Sequence, residues 1–530
     1  MLKNLNNETL EKAQKENKTI YLKISSKASY WSKKMAQESS DNQSVSELLK
    51  ERFVVVNIDK DERPDIERYY QRVYLLMNRQ AGGLPLNIFL TPNLEPFYAD
   101  SYIAPTAVKQ QLGFEELLRV ISKKQITDYE TLAQKGQEVL EFIHPKEEQI
   151  QATKLNINIT KTIHLQSKEL LDKNYGGFTK APKFHNATLL ELLLDVYELE
   201  LEKDTTILEM VLLTLDNMTK GGFYDTQHGG FYTYATNEAW TEAYEVKTTY
   251  DNATLASLYL RAYQLTNNKT YKTIAFKTLD FMITQQDNSK LFSLNDEKII
   301  SSWNALMVRA LFKAGSIDKQ YHIKALETLE ALLSNFYLNG MLYHTKDIKA
   351  FLEDYTQLGE TLIVAYQHTL DESFLIMATQ FSNLIIEHYY QQAQWIFSTN
   401  EFKIRENIHD GILPSAIASA LSLLLSISSL VDINYKKFVF KTLELHSFNL
   451  MRQPLSSPKL TQMVLRYLKD DIIVKSNEDL LKENIDKRET IGYPYILFKN
   501  SESQLFELWN SHSSLKQENS FDKVISHLES

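Results

Sequence analysis

The sequence predicts a multidomain chain, α/β at the front and all-α behind, and three observations carry that expectation. Over residues 1–125 the hydrophobic period switches quickly between that of a strand and that of a helix. From about residue 157 to 470, apolar helical segments alternate with short loops at a spacing of roughly fifty residues, the mark of a repeated helical hairpin. From residue 471 to 530 short strand-like and helix-like runs return, giving a small C-terminal α/β tail. A chain of 530 residues exceeds one core, and with 43% hydrophobic residues it can fill two or three.

In the first segment, residues 20–24 (IYLKI) read as a strand, 30–37 as a helix and 53–58 (FVVVNI) as a buried strand. A helix over 66–77 follows. Gly82, Gly83 and Pro85 then break the chain before the strand 86–91, and Phe97 and Tyr98 supply a short partner. The order β-α-β-α-β-β, with Pro85 at the mouth of the third strand, is a thioredoxin-like plan, and a proline there is a candidate for a cis peptide. Residues 126–143 read as a polar helix and 144–156 as a charged stretch, so 126–156 is expected to be a helical linker.

In the second segment, helices of an inner type are expected to start near Ala187, Thr248, Ser301, Glu353, Ile412 and Pro458. Between and around them lie 160–173, 205–219, 271–285, 320–337, 374–390 and 435–451. Six and six with no helix left over predict a closed (α/α)6 toroid, because an open stack would need capping helices. In the tail, 472–474 and 495–498 read as strands, and 502–509 and 521–528 as helix.

Composition excludes several functions. The net charge of −10 is dispersed, leaving no basic face for nucleic acid or anionic lipid. Residues 412–431 carry no charge over a bilayer-spanning length, yet Ser415, Ser419, Ser422 and Ser426 recur on one helical face, so this is a buried helix with a small polar side rather than a membrane span. The N-terminus lacks the apolar core of a signal peptide, and a cytoplasmic location is expected by default. The chain has no cysteine, which removes disulfides, thiolate nucleophiles, Cys-ligated zinc and iron–sulfur clusters. No phosphate loop is present, and Glu406 with His409 is a lone Glu-x-x-His that reads as loop, so no cofactor and no metal are expected.

Several short motifs run through both segments in a fixed order. They include Met35, the run Asp59 to Ile66, Gly82-Gly83 with Pro85, Gly176-Gly177-Phe178, Gly221-Gly222-Phe223-Tyr224-Asp225, Gly229-Gly230-Phe231, Tyr250-Asp251-Asn252-Ala253, Trp303-Asn304-Ala305-Leu306-Met307 and Leu352-Glu353-Asp354-Tyr355. Together they resemble the thioredoxin-domain family that includes YyaL and the spermatogenesis-associated proteins, in which a thioredoxin-like domain is joined to a six-hairpin helical ring. The resemblance implies a Cys-His-Trp-Cys-His signature where this chain reads Ser29-Tyr30-Trp31-Ser32-Lys33. It also implies a pair of tail cysteines, equally absent. A serine hydroxyl does not ionise near neutral pH or form a mixed disulfide, so the motif is redox-inactive, and Ser29 serves as an N-cap.

The ring type resembles that of sugar epimerases and glycoside hydrolases, which implies a carbohydrate-like or other small-molecule ligand, with a carbohydrate-active enzyme of either type and a non-catalytic scaffold as the alternatives; the sequence does not say whether there is a protein partner. Asp251, Asp354 and Asp410 fall at or near inner-helix starts and are the candidate catalytic carboxylates. Lys183, Trp240, Lys247, Tyr250, Asn252, Trp303, Asn304 and Tyr355 are the candidate ligand-binding residues. If the inner helices run parallel, these positions converge on one polar funnel, roofed by Trp240 and the aromatic, glycine-rich stretch 221–234. Capping alone also explains each aspartate. Where relatives read His-Phe-Glu-Lys-Met this chain has Tyr244-Glu245-Val246-Lys247-Thr248, so His and Glu are lost and any catalysis is expected to be weak or gone.

Overall fold

In the computed structural model, which describes residues 7–109, 111–143, 151–200, 204–294, 298–400 and 402–529, two runs of β-branched and aromatic residues become neighbouring parallel strands. These are β1 (Thr19–Ser25) and β2 (Phe53–Asp59). Antiparallel to β1 lies β3 (Leu86–Leu90), followed by β4 (Pro96–Asp100), giving the order β2-β1-β3-β4. Alternation sorts the side chains. Ile20, Leu22 and Ile24 join one core with Ile88 and Ile66, while Tyr21, Phe53 and Phe89 join the other with Met35.

The helices of this unit are α1 (Asn7–Glu16), α2 (Tyr30–Ser40), α3 (Gln43–Arg52), α4 (Pro64–Asn78), α5 (Phe114–Thr127) and α6 (Tyr129–Glu141). Sequence periodicity does not place α3, whose only fully buried side chain is Val45. The expected linker is also revised. Helix α6 packs on β4, where Gly136 sits so close to Glu95 that a Cβ would approach it to 2.6 Å, so this helix is a layer of the first unit. Residues 144–150 of that linker lie outside the described residues. Residues 1–149 with 398–404 form this compact unit, and residues 150–397 with 405–530 form the other.

The second unit begins with α7 (Ile159–Leu170), α8 (Ala187–Leu199) and α9 (Thr205–Lys220). It continues through α10 (Thr249–Thr266), α11 (Lys269–Ile283), α12 (Ser301–Gly315), α13 (Lys319–Phe336), α14 (Leu352–Thr369) and α15 (Glu372–Tyr389). It ends with α16 (Ala416–Leu430), α17 (Lys436–Arg452) and α18 (Pro458–Lys469). The even-numbered helices from α8 to α18 each pack on the next, and α18 returns to α8, so the ring closes. The odd-numbered helices lie outside. Burial follows from this placement: α13 buries one stripe (Tyr321, Ala325, Thr328, Leu332), whereas α12 is buried almost all round. Helix α16 starts at Ala416 rather than Ile412 because Ser415 takes the N-cap, accepting the Ala418 N–H. No helix among the described residues is long and apolar enough to cross a membrane.

Short strand pairs decorate the hairpin loops: β5 (Tyr234–Ala235) with β6 (Ala243–Tyr244), β7 (Tyr337–Leu338) with β8 (Met341–Thr345) and β9 (Ile348–Lys349), and β10 (Tyr390–Gln391) with β11 (Gln394–Trp395). The tail holds β12 (Ile472–Ser476), α19 (Glu478–Asn484), β13 (Ile496–Asn500), β14 (Phe506–Trp509), β15 (Ser514–Glu518) and α20 (Phe521–Glu529). Its strand order is β13-β12-β14-β15, with β12 and β13 parallel and the rest antiparallel, which repeats the plan of the first unit's sheet. The helix expected at 502–509 is instead strand β14. Phe506 and Leu508 are buried and Glu507 and Trp509 are not, a period of two that the short window hides.

Candidate functional site

The degenerate redox motif is built as a helix start. Ser29 is the N-cap of α2: its Oγ accepts the Ser32 N–H at 3.2 Å and donates to the Leu84 carbonyl at 3.2 Å, beside the cis Leu84–Pro85 peptide. Ser32 is buried. With no thiol on either residue, disulfide exchange has no nucleophile.

The residues expected to form a funnel are placed at inner-helix starts, but they are spent on packing and caps, and none lines either cavity of the ring. Asp251 has no exposed surface; it accepts the Thr248 hydroxyl at 2.6 Å and faces His185 Nε2 at 2.8 Å. Because the Ala187 N–H donates to His185 Nδ1, the ring proton sits on Nε2 and points at Asp251. Asp354, in the first turn of α14, accepts the N-cap Phe351 N–H at 2.8 Å and takes Ser301 Oγ and His344 Nδ1, each at 2.9 Å. Asp410 accepts the Ser415 and Lys459 N–H groups at 2.8 and 2.7 Å.

The aromatic roof is likewise a core. Trp240 is fully buried, donating to the Tyr175 carbonyl at 3.0 Å and packing on Phe223. Tyr250 and Trp303 are buried ring to ring at 4.8 Å, and Tyr355 packs outward on Phe381 and Tyr389. Asn252 clamps Phe231 through both its backbone N–H and C=O, and Asn304 does the same to Phe292.

Lys183 and Lys247 belong to one device used twice. In each copy an Asp-x-x-x-Gly-Gly-Phe loop curls back on its aspartate, and a distant lysine locks it. Lys183 Nζ reaches Asp172 at 2.5 Å and the Gly176 carbonyl at 2.7 Å; Lys247 Nζ reaches Asp225 at 2.8 Å and the Gly229 carbonyl at 2.7 Å. The second glycine must be glycine: Gly230 has φ +84°, and a Cβ there would meet the Phe281 ring at 2.9 Å and Asn252 Oδ1 at 3.0 Å. The identical spacing from Asp172 and from Asp225 was the sequence signal for this repeat.

The ring lumen holds the cavity, of about 380 Å³, walled by one or more residues from every inner helix: Glu191, Arg261, Arg309, Glu360, Ser422 and Lys459. A second cavity of about 310 Å³ shares Glu191, Arg309, Glu360 and Lys459. Arg261 bonds Glu191 and Glu198 and meets Asp195 at 2.6 Å; Arg309 meets Glu360 at 2.7 Å; Arg466 grips Asp471 with two bonds of 2.6 and 2.9 Å. Residues 491–497 of the tail also line it, and the Tyr495 hydroxyl donates to Asp195 at 2.8 Å. Ser422 and Ser426, from the serine face of α16, line this wall, with Ser426 Oγ accepting from Arg466 at 3.0 Å.

Burial acts to raise the proton affinity of Glu191, yet Arg261, with Lys313 and Lys459, holds it below the ordinary glutamate value. Glu360 is held down in the same way by Arg309 and Lys459 against its burial. Both are carboxylates at neutral pH. Sequence reasoning missed these residues although a signal existed: single charges interrupt apolar inner helices, as in LLELLLDVYEL, where Glu191, Asp195 and Glu198 fall on one stripe.

One of the three expected aspartates does titrate high. Burial pushes Asp410 up to about 6, against the backbone N–H groups of Lys459 and Ser415 that lower it, without any shared cavity. A carboxyl with a raised folded-state pKa favours folding as pH falls from above that value towards its unfolded pKa near 3.9. Wild type is therefore expected to gain melting temperature over Asp410→Ser between pH 7.5 and 5. A constant difference across that range would show that Asp410 titrates normally. For a metal, His344, Glu353 and Asp354 offer ligand atoms within 4.8 Å of one another, but Asp354 already serves the α14 cap and Ser301.

Residues 3–144 match the Thioredox_DsbH family, described as a protein of unknown function, DUF255. Human spermatogenesis-associated protein 20 is 32% identical over 283 residues, 52% of this chain and 36% of the human protein. An uncharacterized protein of Caenorhabditis elegans is 30% identical over 264 residues, 49% of this chain and 36% of its own length. Over these regions the chain is similar to the spermatogenesis-associated thioredoxin-domain proteins. The alignment spans about a third of the curated relatives' length, and this chain has no cysteine. Among solved structures, D-mannose isomerase is similar at 11% identity and TM-score 0.46, over 59% of this chain and 98% of that one. A GH76 α-mannanase from Bacteroides thetaiotaomicron is similar at 15% identity and TM-score 0.44, over 58% and 94%.

Proposed function

We propose that the ring takes a small polyhydroxylated, carbohydrate-like molecule into its lumen and binds it without turning it over. The observation that carries this reading is the cavity itself, about 380 Å³ with charged side chains from most inner helices converging on it. That volume lies in the range of small-molecule sites. A sugar hydroxyl can donate to a carboxylate while accepting from a guanidinium, and the lumen interleaves the two. Gln462, buried at the wall, donates to Asp195 at 3.1 Å but leaves its Oε1 without a hydrogen-bond partner.

Catalysis is disfavoured by the same electrostatics. Glycoside hydrolysis needs one carboxyl kept protonated beside one carboxylate, whereas Glu191 and Glu360 are both held ionised. Epimerisation needs paired bases, and the histidine on the wall, His368, is engaged by Arg488 at 3.4 Å.

A sugar library read by thermal shift tests the proposal, since a ligand at 100 times its Kd stabilises by about 2.7 kcal/mol. At least one sugar is expected to raise the melting temperature of wild type and not of Arg309→Met. If no sugar does so, the lumen is a structural ion network and the protein a scaffold.

A further inference from the structure

The cations of the lumen are not all used. Arg261 is taken by three carboxylates, Arg309 by Glu360 and Arg466 by Asp471. Lys313 and Lys459 line both cavities, from α12 and α18 on opposite sides of the ring, and neither ammonium makes a hydrogen bond or ion pair among the described residues. Both stand close enough to Glu191 to lower its proton affinity, so both fields reach the same part of the lumen.

The sign of the wall points the same way. Arg261, Arg309, Lys313, Lys459, Arg466 and Arg488 face four carboxylates, those of Glu191, Asp195, Glu198 and Glu360. Counting Asp471 behind Arg466 still leaves the lumen net positive, in a chain whose net charge is −10. An acidic protein with a positive interior has not acquired it from composition. A half-buried ammonium with unfilled donors can receive an anionic group through charge-assisted hydrogen bonds.

We infer that the lumen ligand is an anionic sugar, whose carboxylate or phosphate is held between Lys313 and Lys459 while its hydroxyls meet Arg309 and Glu360. This rests on the lumen-binding reading above. It narrows that reading to one chemical class, and the two can fail separately.

The test is isothermal titration of the full-length protein with D-glucuronate, D-glucose 6-phosphate and D-glucose at constant ionic strength. At least one anionic sugar is expected to bind about tenfold or more tighter than glucose, as one charge-assisted hydrogen bond provides, and which of the two does so identifies the anionic group. That margin is expected to collapse in Lys313→Met and in Lys459→Met and to survive in Lys459→Arg, which keeps the charge. Circular dichroism melts establish that each variant is folded; if a Met variant is not, the Arg variant and the wild-type preference still decide. Glucose bound as tightly as both anionic sugars, or a preference that persists in both Met variants, overturns the anionic assignment and leaves lumen binding intact. No binding by any of the three overturns the anionic assignment, and the sugar library then decides lumen binding by itself.

Discussion

Replacing Arg261 with alanine is expected to destabilise the ring by about 3–5 kcal/mol at pH 7, the cost of breaking a buried pair by removing one partner. The guanidinium is 12% exposed and is the common partner of Glu191, Asp195 and Glu198, which are 24%, 5% and 8% exposed. Asp195 and Glu198 carry most of the cost, because water reaches Glu191 most easily. The pH dependence should change sign as well. In wild type Glu191 is held below its ordinary value, so its contribution is present above the unfolded pKa and lost as pH falls through the folded one. Without Arg261, burial dominates at Glu191 and raises it, so the variant should regain stability between pH 7 and 5 as that carboxyl protonates. Urea denaturation at the two pH values measures both effects. A loss under about 1 kcal/mol would mean that the network is solvated like a surface ion pair.

Lys247→Met is expected to cost about 2–4 kcal/mol, because the substitution removes one charge-assisted bond, one carbonyl bond and the attraction of the ammonium to an aromatic face. Lys247 is 7% exposed, holds Asp225 and Gly229, and lies 4.0 Å over the Phe281 ring. Burial tends to raise Asp225, but Lys247, with the His228 N–H, holds it well below the usual carboxylate range. That stabilisation is present above the unfolded pKa near 3.9 and is lost as pH falls through the folded value, so the variant should be the less acid-sensitive of the two. Since Lys247 lines neither lumen cavity, its loss should leave sugar affinity unchanged. A folded Lys247→Met that melts normally but no longer binds would return the site to the aromatic loop.

The two variants separate roles that sequence position alone confuses. Lys247 and Arg261 are both cations near inner helix α10, and both answer a buried carboxylate. One locks a loop to the outside of a helix start; the other faces the lumen.

The fold class and the alternation of inner and outer helices were legible in the sequence, whereas α3, β14 and the packing of α6 were not. Periodicity is local, and the alternation of Ile20, Leu22 and Ile24 or the spacing of Ala187, Ser301 and Pro458 survives in one dimension. The missing thiols were equally legible, because no tertiary contact turns Ser29 or Ser32 into a sulfur nucleophile. Which charges share a space was not legible in one dimension. Asp251 and Asp354 look alike in sequence to a ligand's partners and to helix caps, since both uses want a carboxylate at a helix start. The choice lies in whether the second oxygen finds a neighbour such as Thr248 or His344, and that depends on how adjacent hairpins meet. Likewise Glu191, Arg261, Arg309 and Lys459 come from four helices spread over about half the chain, and closure of the ring alone brings them to one cavity.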